Sequence, residues 1–75
     1  MKADLILDSE ELISFDMKTG NICVDKQIFD DYQKDTYINI LFTDNNRDDV
    51  MQYKMIAETD EYIEMEWIGI VEEEV

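Results

Sequence analysis

Carboxylates are the groups in this sequence with the numbers to do chemistry. There are 20 Asp and Glu against six Lys and Arg, with no His and one Cys. The most suggestive spacing is Asp44, Asn46 and Asp48, at the first, third and fifth positions of an EF-hand calcium loop. The match ends there. Asp49 stands at the sixth position, where the loop needs glycine, and Met55 at the twelfth, where it needs a bidentate Glu. A flexible polar loop is expected, and no metal or other cofactor. Cys23 has no His to activate it, so it reads as a small half-buried thiol and not as a nucleophile. Without His, a Gly-rich phosphate loop or a nucleophile elbow, the sequence offers no acid–base or covalent machinery. Paired carboxylates hydrolyse glycosides only across a deep cleft, which a chain of 75 residues can scarcely wall. The expectation is a binding protein, not an enzyme.

The acids must be held by ordered elements, and the stretch VMQYKMIAETDEYIEMEWIGIV, 50–71, supplies the main one. Met51, Tyr53, Met55 and Ala57 alternate with Gln52, Lys54 and Glu58, and Ile63, Met65, Trp67, Gly69 and Val71 alternate with Glu64 and Glu66. Such alternation predicts a hairpin of two half-buried strands. A three-residue loop at Thr59-Asp60-Glu61 sets Ala57 opposite Ile63, Met55 opposite Met65 and Tyr53 opposite Trp67, so both apolar sets share one face. The other face then carries Glu58, Glu64 and Glu66 beside the acidic tip, with Lys54 opposite Glu66. From Met55 onward there are eight carboxylates and no base.

Around this hairpin the remaining segments are shorter. Met1 to Glu11 reads either as an edge strand through Leu5 and Leu7 or as a helical stripe of Leu5, Ile6, Ser9, Leu12 and Ile13, with the strand preferred. A two-residue turn at Thr19-Gly20 would place Met17 opposite Ile22 and Phe15 opposite Val24, with Gly20 free to take positive φ. Asp25 is placed to cap a helix from Lys26 to Lys34 whose stripe of Ile28, Phe29 and Tyr32 would lie across the sheet, with Asp30, Asp31 and Asp35 outside. Thr36 to Thr43 is a strand with Ile38, Ile40 and Phe42 on one face and Tyr37, Asn39 and Leu41 on the other. Leu41, Ile56, Ile68 and Ile70 make the second face partly apolar, a patch either covered or used for contact. The tail 72–75 is expected to fray.

The expected fold class is therefore α+β: one acidic domain over 1–75, an antiparallel sheet of four or five strands with one short helix packed on a face. With no Pro, two Gly and no repeat, nothing marks a second domain. The apolar run Leu5-Ile6-Leu7 is too short, and too closely flanked by acid, for a signal peptide or a membrane span. A single Cys fits a reducing cytoplasm. The net charge of −14 opposes compaction and repels phosphate, so direct nucleic-acid or membrane binding is not expected and the partner should be basic.

Small, acidic, His-free chains of this kind resemble virus-encoded DNA mimics: uracil-DNA glycosylase inhibitors, anti-restriction proteins and anti-CRISPR proteins. The resemblance to the glycosylase inhibitors follows the order Ile22-Cys23-Val24, the helix from Asp25 to Lys34, Tyr37-Ile38-Asn39-Ile40-Leu41, an acidic loop, Asp49-Val50-Met51 and a last strand through Trp67. That family places an acid just before its strand–helix unit, where this chain has Gly20 and Asn21, and it has a further final strand where this chain has an acidic tail. The resemblance implies stoichiometric inhibition of a nucleic-acid enzyme through its basic groove, a bacterial defence nuclease first and uracil-DNA glycosylase as the alternative. Phosphate-mimic positions would be Asp30, Asp31, Asp44, Asp48, Asp49, Glu58, Asp60, Glu61, Glu64 and Glu66, with Leu41, Ile56 and Ile68 as apolar contacts. A rival reading is an adaptor or regulatory module that uses the apolar patch and carries its acid for solubility. Edge strands also leave a weak homodimer open, against which the charge acts at low salt.

Overall fold

The computed structural model describes residues 3–44 and 49–71. Six strands form one mixed sheet in the order β1-β4-β5-β6-β3-β2: β1 (Leu5–Leu7), β2 (Leu12–Phe15), β3 (Ile22–Asp25), β4 (Tyr37–Phe42), β5 (Val50–Glu58) and β6 (Tyr62–Val71). β1 runs parallel to β4, and the other four pairings are antiparallel. The sheet curls into a half-barrel.

The central hairpin forms, with Tyr53 facing Trp67 and Met55 facing Met65, but its tip does not have the register expected of a three-residue loop: Glu58, not Ala57, faces Ile63, and the Thr59 N–H donates to the Tyr62 carbonyl (2.9 Å). Two β-bulges then depart from simple alternation. Ile56 is extra on β5, so Ala57 faces Glu64 and Glu58 faces Ile63, and Ile68 is extra on β6 between the pairs Tyr53–Trp67 and Gln52–Gly69. Bulges bend a strand and strengthen its twist, which suits a sheet that curls. The concave face takes the core: Leu7, Ile22, Val24, Ile38, Ile40, Tyr53, Met55, Ile63 and Met65 are all buried. Burying each of the larger ones stabilises the fold by about 1.5–3 kcal/mol.

The expected α+β class is overturned, because the chain is nearly all β. The helix from Lys26 to Lys34 does not form. Its first turn does: the Asp25 side chain accepts from the Gln27 N–H (2.8 Å), and the Asp25 carbonyl accepts from the Ile28 N–H (2.9 Å) and the Phe29 N–H (3.2 Å). Propagation then stops at Asp30-Asp31. Asp is a poor helix former, acids toward a helix C-terminus oppose its dipole, and nine residues are too few to hold a helix alone. Instead the segment crosses the open side of the half-barrel, and Phe29 and Tyr32 pack against the core. It ends at Asp35, in the left-handed region at φ 62°. The Asp35 N–H donates to the Met55 carbonyl (2.8 Å).

At the N-terminus the edge-strand reading of Leu5 and Leu7 holds, although the strand joins the sheet in parallel and raises the count to six. A 3-10 turn at Ser9–Glu11 leads to β2, with Asp8 and Glu11 forming a reciprocal capping box. Consecutive strands β1 and β2 thereby sit on opposite edges of the sheet. The β2–β3 register also differs from expectation. Phe15 faces Ile22 and Leu12 faces Val24, with an irregularity between Leu12 and Ser14, so the connection is longer than two residues and Met17 stands 88% exposed.

Candidate functional site

Two hollows flank β2. The first lies at the closed end of the β5–β6 hairpin and measures about 640 Å³, lined by Ile13, Asp25, Lys26, Gln27, Asp30, Asp60 and Glu61. The hairpin loop brings Asp60 and Glu61 there because the Thr59 hydroxyl oxygen accepts from the N–H groups of Glu61 (3.2 Å) and Tyr62 (3.1 Å). The backbone bond from Lys26 N–H to the Glu61 carbonyl (2.9 Å) ties the crossing segment to the same loop. Lys26 is the one cation in this lining among the described residues, and its ammonium is committed to Glu58 at 2.7 Å. That hydrogen bond holds Lys26 above its usual pKa of 10.5, with help from the charges of Glu58, Asp30 and Asp60. Four carboxylates, those of Asp25, Asp30, Asp60 and Glu61, surround this one neutralised base.

The second hollow is apolar and larger, about 730 Å³. Its walls are Leu12, Phe15, Met17, Ile22, Phe42, Met51, Tyr53 and Trp67, with Ser9, Lys18, Thr19, Gly20 and Asp44 at the rim. Phe42 and Tyr53 meet edge to face, with centroids 6.3 Å apart. Burial raises the Tyr53 pKa to about 12, so the phenol stays neutral. Trp67 is set by the β2–β3 connection, a role the alternation pattern does not reveal: its backbone N–H donates to the Asn21 side-chain oxygen (3.1 Å), and its Cβ packs against Gly20, at φ 81°. A Cβ on Gly20 would lie 3.1 Å from the Cβ of Trp67. At the opposite rim Asp44 accepts from both the hydroxyl and the N–H of Ser9, which lowers its pKa below the usual 3.8.

The expected phosphate-mimic residues do not share one face. Asp30, Asp60 and Glu61 meet in the acidic hollow, with Glu58 alongside through Lys26. Glu64 and Glu66 alternate with the buried Ile63 and Met65 and so project from the convex face. There Glu66 faces Lys54 in register, but the Lys54 ammonium lies nearest Asp35, at 3.7 Å. Asp44 and Asp49 flank the far end of β5, about 27–30 Å from the hairpin tip for nine residues of strand. Asp31 is exposed on the crossing segment, and Asp48 lies outside the described residues. The bulge at Ile56 is what takes Glu58 out of the ladder with Glu64 and Glu66.

The apolar patch also divides. Leu41 faces Val50, whereas Ile56 lies six residues further along β5, about 20 Å away. Ile56 and Ile68 are the two bulged residues, and Ile70 pairs with Met51. Cys23 is a half-buried free thiol opposite Glu64. Among the described residues no group of three or more acids, Cys or His is arranged to hold a metal ion, and no helix is long and apolar enough to cross a membrane.

The fold and these two hollows define a small acidic half-barrel domain with a carboxylate-lined end and an adjoining apolar groove. Compared with known proteins, the chain matches no family model, no curated sequence and no solved structure.

Proposed function

We propose that this domain is a stoichiometric inhibitor that occupies the basic nucleic-acid groove of an enzyme acting on DNA or RNA, a bacterial defence nuclease such as a CRISPR effector or restriction enzyme, in the cytoplasm. The observation that supports this reading is the acidic hollow, where Asp25, Asp30, Asp60 and Glu61 converge around a lysine already paired with Glu58. A groove lined with Lys and Arg to receive phosphates accepts carboxylates at similar spacing. The overall charge of −14 would steer the encounter. The strand–helix unit behind the resemblance to glycosylase inhibitors is not formed, so the reading rests on charge placement.

Capture from bacterial lysate followed by a salt step tests it. A partner held by charge elutes at moderate ionic strength, handles nucleic acid and is released by competing DNA or guide RNA. The Asp60→Lys, Glu61→Lys double variant should abolish its inhibition, while Glu64→Lys with Glu66→Lys on the convex face should retain most of it. A partner that stays bound through high salt, or full inhibition by the hairpin-end variant, would refute the reading.

A further inference from the structure

The acidic hollow and the apolar groove adjoin one strand. Ile13 lines the first, while Leu12 and Phe15 line the second, so both open along β2, an edge strand paired only with β3. The groove contains large apolar side chains that none of the described residues covers: Phe15 is 56% exposed, Trp67 42% and Met17 88%. In a small domain, three such side chains around one concavity mark a contact surface.

The charge around the groove selects its occupant. Asp44 stands on the rim, exposed Glu10 follows the rim residue Ser9, and exposed Asp16 precedes Met17, against Lys18 as the one lining cation among the described residues. A free anionic amphiphile would be repelled by this ring and by the net charge of −14, and a second copy of the chain would bring the same charge. A basic polypeptide is attracted on both sides of β2. We propose that the apolar groove seats a large aliphatic or aromatic side chain from an extended basic segment of the partner, while Lys or Arg residues flanking that anchor reach the carboxylates of Asp30, Asp60 and Glu61. This rests on the basic-partner reading above and adds an anchor that a nucleic acid lacks. Ile13 and Phe15 are two residues apart on β2, about 7 Å, so the anchor and the nearest base are separated by two or three residues of extended chain.

Trp67 is the sole tryptophan and lines the groove, so its emission reports occupancy directly. The probes are three tryptophan-free peptides titrated at low salt: Ac-Arg-Lys-Leu-Phe-Arg-Lys-NH2, its equally charged counterpart with Ser-Ser in the middle, and an acidic version with Glu in place of Arg and Lys. The first should bind with a blue shift of Trp67 emission and with about 10- to 100-fold higher affinity than the Ser-Ser peptide, as expected for burial of one large apolar side chain. The acidic version should not bind. Phe15→Ser with Met17→Ser changes two exposed residues, leaves the fold unchanged by circular dichroism, and should remove the advantage of the first peptide while sparing the second. Equal affinity of the two basic peptides, or an unmoved Trp67 emission, overturns the groove and leaves the acidic hollow standing. Failure of both basic peptides overturns the two readings together.

Discussion

Gly20 carries two constraints at once, and replacing it separates them. Its φ of 81° is a conformation that costs an L residue about 1–2 kcal/mol, and a new Cβ would sit 3.1 Å from the Cβ of Trp67, closer than comfortable contact. Gly20→Ala should therefore lose at least about 1–2 kcal/mol, which for a domain of this size lowers Tm by roughly 5–15 °C. Urea unfolding followed by far-ultraviolet circular dichroism measures the loss, and native Trp67 emission reports whether the indole has been pushed from its seat. Gly20→Asn tolerates the left-handed backbone but keeps the added Cβ. It should recover part of the stability without restoring the emission. Gly69→Ala is the internal control, because a Cβ there meets no heavy atom within 4 Å. Its stability should stay within about 1 kcal/mol of the parent. If Gly20→Ala and Gly69→Ala prove equally mild, the backbone at 20 is not held in the left-handed region and the account of how Trp67 is positioned fails.

Tyr53 should make the fold alkali-sensitive. Burial raises its pKa to about 12 from a usual 10.0, so its contribution is fully present below pH 10 and is lost as pH rises toward 12. The denaturation midpoint of the parent should fall more steeply over that window than that of Tyr53→Phe; parallel curves would contradict this. Met65→Ala empties a fully buried position and should cost about 2–5 kcal/mol in urea unfolding, against about 0.5 kcal/mol or less for exposed Glu66→Ala next to it. Similar losses for the two would put Met65 outside the core.

The centre of the fold was legible because its signal is local. Alternation in 50–71 and in Thr36 to Thr43 encodes which side chains face inward, and the requirement that both apolar sets of the hairpin share one face picks out the pairs Met55–Met65 and Tyr53–Trp67. The bulges had a signal too, in the adjacent apolar residues Met55-Ile56-Ala57 and Trp67-Ile68, where strict alternation breaks. The segment 26–34 departs from the expected helix because Asp25 provides a helix start whose first turn does form, while Asp30-Asp31 are too weak as helix residues to propagate it. Strand β1 was visible as a strand but not as a parallel one, since three residues carry no information about direction. The acids were visible singly. Which of them meet depended on the bulge at Ile56 and on the path of the crossing segment, and both are tertiary.

Strands β1 and β2 are joined by a short turn yet close opposite edges of the sheet, one on β4 and the other on β3. The two edges differ in how far apart their partners lie along the chain. β2 meets β3 across only the six residues between Phe15 and Ile22, whereas β1 pairs with β4 across a separation of 35 residues and must wait for the interior strands. The β2 edge can therefore close early as a local hairpin, and the flank of β4 is the one left open longest, sealed at the end by three residues of β1.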